Sequence, residues 1–162
     1  MSGVITTGLN GLYTLICRNP ETAGGGLAPS EAIYHSEAGF IYDERVKIDS
    51  LESSAIDRRV EVIYNGTIAW GNVVNGLTRK QRRVGVVVRI GYYVGDHELE
   101  SYKIMGDDEQ IICNAVLNPS TWPEGIKGCV QGYIPQTSQV QVLDANRMVL
   151  EITLEMIIYG TP

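Results

Sequence analysis

The sequence predicts an α+β fold in which one or two helices pack on an antiparallel or mixed β-sheet, with a long loop or arm in the N-terminal half. Two β-strand patterns support this fold. Residues 82–93 are dense in β-branched and aromatic residues, and residues 148–159 alternate so that every even position is apolar. Between them lies an acid-rich stretch with helical character. A helix that connects two such strands can cover one face of their sheet.

The first element is a predicted helix in residues 4–18. Apolar residues recur there at helical spacing, at Ile5, Leu9, Leu12 and Ile16. Gly8 and Gly11 weaken the pattern, because glycine costs about 1 kcal/mol relative to alanine inside a helix. Asn19 and Pro20 end the segment, since the residue before a proline is disfavoured in the helical conformation.

A glycine-rich segment follows this helix. Residues 24–26 are all glycine, but no lysine follows in the spacing of a phosphate-binding loop and no strong strand precedes them. Residues 30–56 contain only short, loosely patterned pieces, which is typical of a functional or disordered insertion. We therefore predict a single domain over residues 1–162, with residues 20–56 as an extended arm or insertion and residues 58–160 as the α+β core.

The core begins with a predicted hairpin over residues 58–71. Alternating apolar residues lead into Asn65 and Gly66, a preferred turn dipeptide because both residues tolerate positive φ. A polar stretch then leads into the strand at 82–93.

The second half of the core is predicted as a helix followed by strands. From Asp108, apolar residues at Ile111, Ile112, Ala115 and Val116 form one helix face. Asp107 and Asp108 would lie at the start of this helix, where the helix dipole favours negative charge. Pro119 stops the helix and a turn at Trp122 follows. We predict two further strands, at about 126–134 and 139–143, before the last strand.

The composition of the chain argues against several classes of function. The net charge of −6 disfavours general binding to nucleic acids or to anionic membranes. No apolar run approaches the roughly 20 residues needed to cross a bilayer, and the N-terminus lacks the features of a signal peptide. Cys17, Cys113 and Cys129 are odd in number and widely spaced, which favours buried free thiols over disulfides or a zinc site. We expect a cytoplasmic protein without a membrane partner.

The sequence offers no arrangement of residues for catalysis. His35 and His97 lie far apart and belong to no recognisable motif. The adjacent acids Asp107, Asp108 and Glu109 would diverge around a helix in steps of about 100°, so they would not converge on a metal ion. We predict that the protein is not an enzyme and that it has no catalytic residues, metal site or cofactor.

Two charged sets are candidates for contacts with other molecules. The basic set comprises Arg79, Lys80, Arg82 and Arg83. It could be a solvated loop, a protein interface or a phosphate contact. The acidic set comprises Asp107, Asp108 and Glu109. It could be a solvated helix start or an electrostatic contact with a basic partner.

Residues 58 to 160 resemble the tail terminator (tail completion) proteins of tailed bacteriophages. The resemblance lies in the long strand Arg83–Tyr93, with the sequence R-V-G-V-V-V-R-I-G-Y-Y, and in the helix around residues 107–117. It continues through the turn from Pro119 to Trp122 and the closing strand of residues 149–159, which ends E-I-T-L-E-M-I-I-Y.

The resemblance implies a structural protein of virion assembly, located in the tail or neck of the virion after assembly in the host cytoplasm. Members of this family form a hexameric ring at the head-proximal end of the tail tube, stop its growth and present a face to the head. The implied partners are further copies of the chain, the tail tube protein and a head-closure or neck protein. DNA would pass through the lumen without specific binding, which suits an acidic wall.

The N-terminal half departs from the family pattern, because residues 20–56 are longer than a minimal terminator needs. This departure leaves another neck component, such as a head-closure or connector protein, as the alternative. A small nucleic-acid-binding module or an enzyme is a more distant alternative.

Charge segregation suggests how a ring would be held together. The basic set of one subunit would contact the acidic set of its neighbour, as expected for a ring in which different patches of each copy meet. Reversing Arg82 and Arg83 to glutamate should then break the ring.

Overall fold

The computed structural model describes residues 3–17, 26–30, 39–42, 47–52, 55–70 and 80–160. It contains a five-stranded mixed sheet with two α-helices, which confirms the predicted α+β class. The helices are α1 (Val4–Ile16) and α2 (Glu98–Val116). The strands are β1 (Ile41–Tyr42), β2 (Arg59–Trp70), β3 (Lys80–Tyr93), β4 (Val130–Val142) and β5 (Arg147–Gly160). Short 3-10 turns occupy Ile48–Ser50, Pro119–Thr121 and Glu124–Ile126.

The strands lie in the order β1-β2-β3-β5-β4. Of the pairs that the structure describes, β1 with β2 is parallel and the others are antiparallel. β3 and β5 form the centre of the sheet and pair from Lys80–Gly160 to Tyr93–Arg147 without a register shift. In this register even-numbered residues face even-numbered residues, so both strands direct their even positions to the same side.

The helices cover this even side and enclose the core. Both helices contribute to a cluster of buried apolar residues that contains the even positions of β3 from Val84 to Tyr92. The alternation predicted for β5 is confirmed, because its even positions from Met148 to Ile158 are all buried. Burying an apolar side chain of this size contributes about 1.5–3 kcal/mol relative to leaving it exposed. The hydrophobic pattern of the central strands therefore fixes which face receives the helices.

The described parts of the predicted arm pack on the sheet. β1 extends the sheet beside the start of β2, and Phe40 is buried in the main core. On the face opposite the helices, Ile48 and Ile56 form a second, smaller cluster with Val149. The remainder of residues 20–56, including His35, lies outside the described residues. The described pieces of this segment thus cover one end of the second face.

The predicted hairpin at 58–71 is wrong. Residues Arg59–Trp70 form one continuous strand, and its pairing with β3 shifts register between Tyr64 and Thr67. Gly66 has φ of 87°, so the Asn-Gly dipeptide forms an irregularity within the strand instead of reversing the chain. β3 is long enough to pair with the whole of β2, which makes a single strand the better solution here.

The two strands predicted at 126–134 and 139–143 are also a single strand, β4. Its register with β5 shifts between Pro135 and Thr137, so the turn-like residues there form a bulge. The shift changes which positions face the helices. It allows Tyr133 to enter the core, where its ring meets Trp122 edge-on and its hydroxyl donates a hydrogen bond to the Gly8 carbonyl at 2.9 Å.

The second helix begins about ten residues earlier than predicted. It starts at Glu98, and the acids in its first turn are Glu98 and Glu100. Asp107 and Asp108 therefore lie in the middle of α2, where their expected role at a helix start does not apply. The buried stripe runs back through Ile104 and Met105, so packing against the sheet stabilises the earlier turns as well.

The first helix is confirmed at Val4–Ile16, and the structure explains its glycines. A β-carbon on Gly8 would lie 2.3 Å from the sulfur of Met156, and one on Gly11 would lie 2.2 Å from Cγ2 of Ile126. The two glycines let α1 approach the sheet closely at the expense of helix propensity.

We expect Gly11→Ala to destabilise the protein by about 1–3 kcal/mol, because overpacking outweighs the helix propensity gained. Gly106→Ala on α2 is the matched control, since nothing lies within 4 Å of its added β-carbon. That control should stabilise the protein by up to about 1 kcal/mol. Urea unfolding measures both effects. Equal stability of Gly11→Ala and the wild type would contradict close packing of α1.

Candidate functional site

A buried carboxylate connects four parts of the fold. Asp108 on α2 is fully buried, and its Oδ2 accepts hydrogen bonds from Arg58 Nε at 3.1 Å and from the Tyr92 hydroxyl at 2.8 Å. Its Oδ1 accepts hydrogen bonds from the backbone N–H and the hydroxyl of Ser30, at 3.0 and 2.9 Å. We call these four residues the Asp108 cluster. It joins α2, β3, the start of β2 and a piece of the predicted arm.

The Asp108 cluster places a second charge in the interior. The side chain of Arg58 is also fully buried, and its φ of 48° is the one positive value among the non-glycine residues that the structure describes. Such a conformation is uncommon outside glycine, so surrounding contacts must hold it. Burial, followed by the Asp108 carboxylate, raises the pKa of Tyr92 well above its ordinary value. Tyr92 therefore remains a hydrogen-bond donor at physiological pH.

Sequence reasoning missed this cluster, although a signal was present. Asp108 lies four residues after Ile104 and four before Ile112, both of which are buried. A carboxylate on the apolar stripe of a helix requires a buried hydrogen-bonding partner, because an isolated buried charge is strongly unfavourable. The periodicity thus indicated that Asp108 faces inward, but it did not identify Arg58 or Tyr92 as the partners.

The second face of the sheet carries a network centred on Arg89. This side chain, 12% exposed, contacts Asp49 at 3.1 Å, Glu61 at 3.0 Å and Glu151 at 3.0 Å. Burial alone would lower the pKa of Arg89, but the carboxylates of Asp49 and Glu61 outweigh it and the net pKa is raised. Glu61 and Glu151 are the cross-strand neighbours of Arg89. The network therefore ties β2, β3 and β5 to the turn at Ile48–Ser50.

A second ion pair lies further along the same face. Arg83 Nε donates a hydrogen bond to Glu155 Oε2 at 2.9 Å. The side chain of Glu155 is only 6% exposed, whereas that of Arg83 is 48% exposed. Arg83 therefore supplies the charge that compensates a nearly buried carboxylate of its own chain.

The structure describes only part of the predicted basic and acidic sets. Arg79 lies outside the described residues, and Lys80 begins β3. Arg82 is half-buried, while Asp107 is exposed and Glu109 is half-buried. No ion pair joins the two sets within the described part of the chain. Because Asp108 uses both its oxygens inside its own chain, Asp107 and Glu109 are the members of the acidic set that remain accessible.

Exposed apolar side chains concentrate on the two outer long strands. Ten large hydrophobic side chains are exposed among those that the structure describes, and six of them lie on β2 or β4. They are Ile63, Tyr64 and Ile68 on β2, and Ile134, Val140 and Val142 on β4. Sequence reasoning did not select these positions, because their exposure depends on the order of the strands in the sheet.

The three cysteine thiols have pKa values above their ordinary range. Burial raises the pKa of Cys17 to about 12, and burial with the nearby Glu109 raises that of Cys113. Burial also raises the pKa of Cys129. All three thiols are free, and a protonated thiol is a poor nucleophile and metal ligand. Among the residues described, no group of three or more potential ligands is placed to hold a metal ion.

Comparison with known proteins assigns no family. No protein-family model matches the chain, and no curated protein matches it. Neither helix in the described part of the chain combines the length and the apolar character needed to span a bilayer.

We expect Asp108→Asn to destabilise the protein by about 3–5 kcal/mol, because it removes the carboxylate that faces a buried guanidinium. Asp107→Asn is the matched control, since the same change one residue earlier alters an exposed side chain. Its effect should stay within about 0.5 kcal/mol. Chemical denaturation of both variants provides the comparison. Similar stabilities for the two would show that the Asp108 cluster does not hold the fold together.

Proposed function

We propose that this chain is a structural assembly protein that forms a homo-oligomeric ring and acts as a tail terminator of a tailed bacteriophage. In this role the ring sits at the head-proximal end of the tail tube and joins it to a head-closure or neck protein. DNA passes through the lumen without specific binding. The protein performs no catalysis and holds no cofactor in this role.

The observation that carries the assembly role is the placement of exposed apolar residues on β2 and β4. Surface hydrophobic residues that occur singly need no explanation, but a concentration of them indicates a contact with another protein. Here they lie at opposite sides of one sheet, separated by the inner strands. Two unlike contact regions on one subunit support head-to-tail association, which produces a closed ring when the rotation between subunits closes.

The segments that resemble tail terminators form one packed unit in this fold, which supports the choice of family. The strand Arg83–Tyr93 belongs to β3, and the closing strand is β5, its partner along its whole length. The helix of the resemblance is the second half of α2. The turn from Pro119 ends at Trp122, whose indole N–H donates to the Val116 carbonyl at 3.2 Å. The resemblance thus covers the centre of the fold.

The charge of the chain is compatible with a channel for DNA. A net charge of −6 per subunit makes the ring as a whole strongly acidic. An acidic lumen repels the phosphate backbone, which lets DNA move without adhering to the wall.

The ring is tested by the absolute mass of the purified protein, measured by light scattering and supported by negative-stain images. We expect a closed ring of about six copies. Its mass should be insensitive to added duplex DNA at physiological salt, since the lumen does not bind DNA specifically. A monomer at every accessible concentration would contradict the proposal.

The accessible acidic residues provide a second test of the assembly. If Asp107 and Glu109 contact the basic set of a neighbour, replacing both with lysine should dissociate the ring, because like charges then face one another. Glu100→Lys on the same helix is the control, as this residue is also exposed. The mass of each variant by light scattering gives the answer. A ring that survives the double replacement would exclude this contact.

Reversing Arg83 is a less selective test of the same contact. A glutamate at this position would face the nearly buried Glu155 of its own subunit. Loss of the ring in such a variant could then follow from damage to the fold.

A further inference from the structure

The outer edge of β4 is unusually bare. Among the residues that the structure describes, β4 pairs only with β5, which leaves its other edge without a strand. From residue 136 to residue 142 every side chain is exposed, so neither face of this half of the strand is covered. Pro135, which lacks an N–H, precedes this half. Residues 136–142 therefore present an unbroken row of backbone donors and acceptors about 24 Å long.

The outer edge of β2 is closed at its start and open beyond. β1 pairs with Arg59 and Val60, and the Tyr13 hydroxyl then takes the place of a neighbouring strand. It donates to the Val62 carbonyl at 3.2 Å and accepts from the Val62 N–H at 2.8 Å. From residue 63 to residue 70, no partner occupies this edge within the described ranges. Ile68, 52% exposed, lies in this open part.

Both open edges lack charge. Residues 136–142 of β4 and residues 63–70 of β2 contain no Asp, Glu, Lys or Arg. At the 20% of charged residues found in the whole chain, these 15 positions would carry about three. Proteins commonly protect a free edge strand with charged side chains, because a bare edge pairs readily with another strand. The missing charges indicate edges that another strand covers in the functional state.

We propose that these two edges pair with each other between copies of the chain, so that β4 of one subunit continues the sheet beside residues 63–70 of β2 in the next. This inference rests on the proposed ring and specifies the contact that closes it. The open part of β2 is slightly longer than the bare half of β4, so each can satisfy the backbone groups of the other. The pairing also places the exposed Ile68 beside residues 136–142 of the next subunit.

A second copy is the occupant that the observations favour. Every copy carries both edges, so each edge finds its complement at equal concentration. The two edges belong to different strands at opposite sides of the sheet, and joining unlike patches gives a head-to-tail ring. Pairing of β4 with β4 would instead give a two-fold dimer and would leave the β2 edge open.

The test places a charge on each edge in turn. Val140→Lys on β4 and Ile68→Lys on β2 should each reduce the mass measured by light scattering from about six copies to one. Gln110→Lys, at an exposed position on α2, is the control and should leave the ring intact. Circular dichroism of each variant establishes that the subunit remains folded.

Cysteine cross-linking supplies an independent readout that does not require a destabilising charge. Ile68→Cys is combined with a cysteine at residue 139, 140 or 141, in a background in which Cys113 and Cys129 are serine and the buried Cys17 is kept. Under mild oxidation, at least one combination should give a ladder of covalent oligomers on a denaturing gel, whereas the single-cysteine variants should not.

The possible outcomes separate the inference from the proposed function. An intact ring in both lysine variants, without a cross-linked ladder, would overturn edge pairing and leave the ring itself standing. Covalent dimers from the β4 cysteine alone would also overturn it, since they would show a symmetric β4 contact. A wild-type protein that remains monomeric would overturn both the inference and the ring.

Discussion

The uninterrupted pairing of β3 with β5 is the interaction on which the other features of this fold depend. Fourteen residues of each strand are in register, and even positions face even positions throughout. A slip by one residue would move every apolar side chain of one strand to the opposite face. The register therefore determines where the helices pack. It also places Arg83, Arg89, Glu151 and Glu155 together on the other face, where they form ion pairs.

The Asp108 cluster adds a constraint that hydrophobic packing does not supply. Apolar contacts hold α2 on the sheet but tolerate small displacements, whereas a buried carboxylate requires its donors at defined positions. Four donors from three separate segments converge on this carboxylate. The cluster thereby fixes the position of α2 relative to β3 and anchors Ser30, which belongs to the segment predicted as an arm. Part of that segment is consequently integral to the fold.

The sequence predicted the central elements well because their patterns are long. β5 shows its alternation over six consecutive even positions, and the helical spacing of α1 continues across two glycines. Shorter sequence patterns predicted wrong strand boundaries where the same pair of residues is compatible with two backbone structures. Asn65-Gly66 suits a hairpin turn and also a bulge, and only the length of β3 decides between them.

The hydrogen-bonding partners that lie far apart in the sequence could not be predicted, for a different reason. The spacing of Asp108 on its helix indicates burial, but its partner Arg58 lies 50 residues away and owes its position to the fold. Which strand edges are free likewise depends on the order of the strands in the sheet. Nothing in the composition of β4 says that it is an outer strand, so its lack of charge acquires meaning only when the topology is known.

The distribution of charge over the sheet supports the assembly role independently of the family resemblance. In a monomeric sheet, charged residues are most useful on the outer strands, because they prevent unwanted pairing there. This chain has the reverse arrangement, with Arg83 and Arg89 on an inner strand and neutral residues along both open edges. The ion pairs compensate charge within the chain and leave the edges free to form backbone hydrogen bonds. Such an arrangement is a liability for an isolated subunit and an advantage for one whose edges are covered by its neighbours.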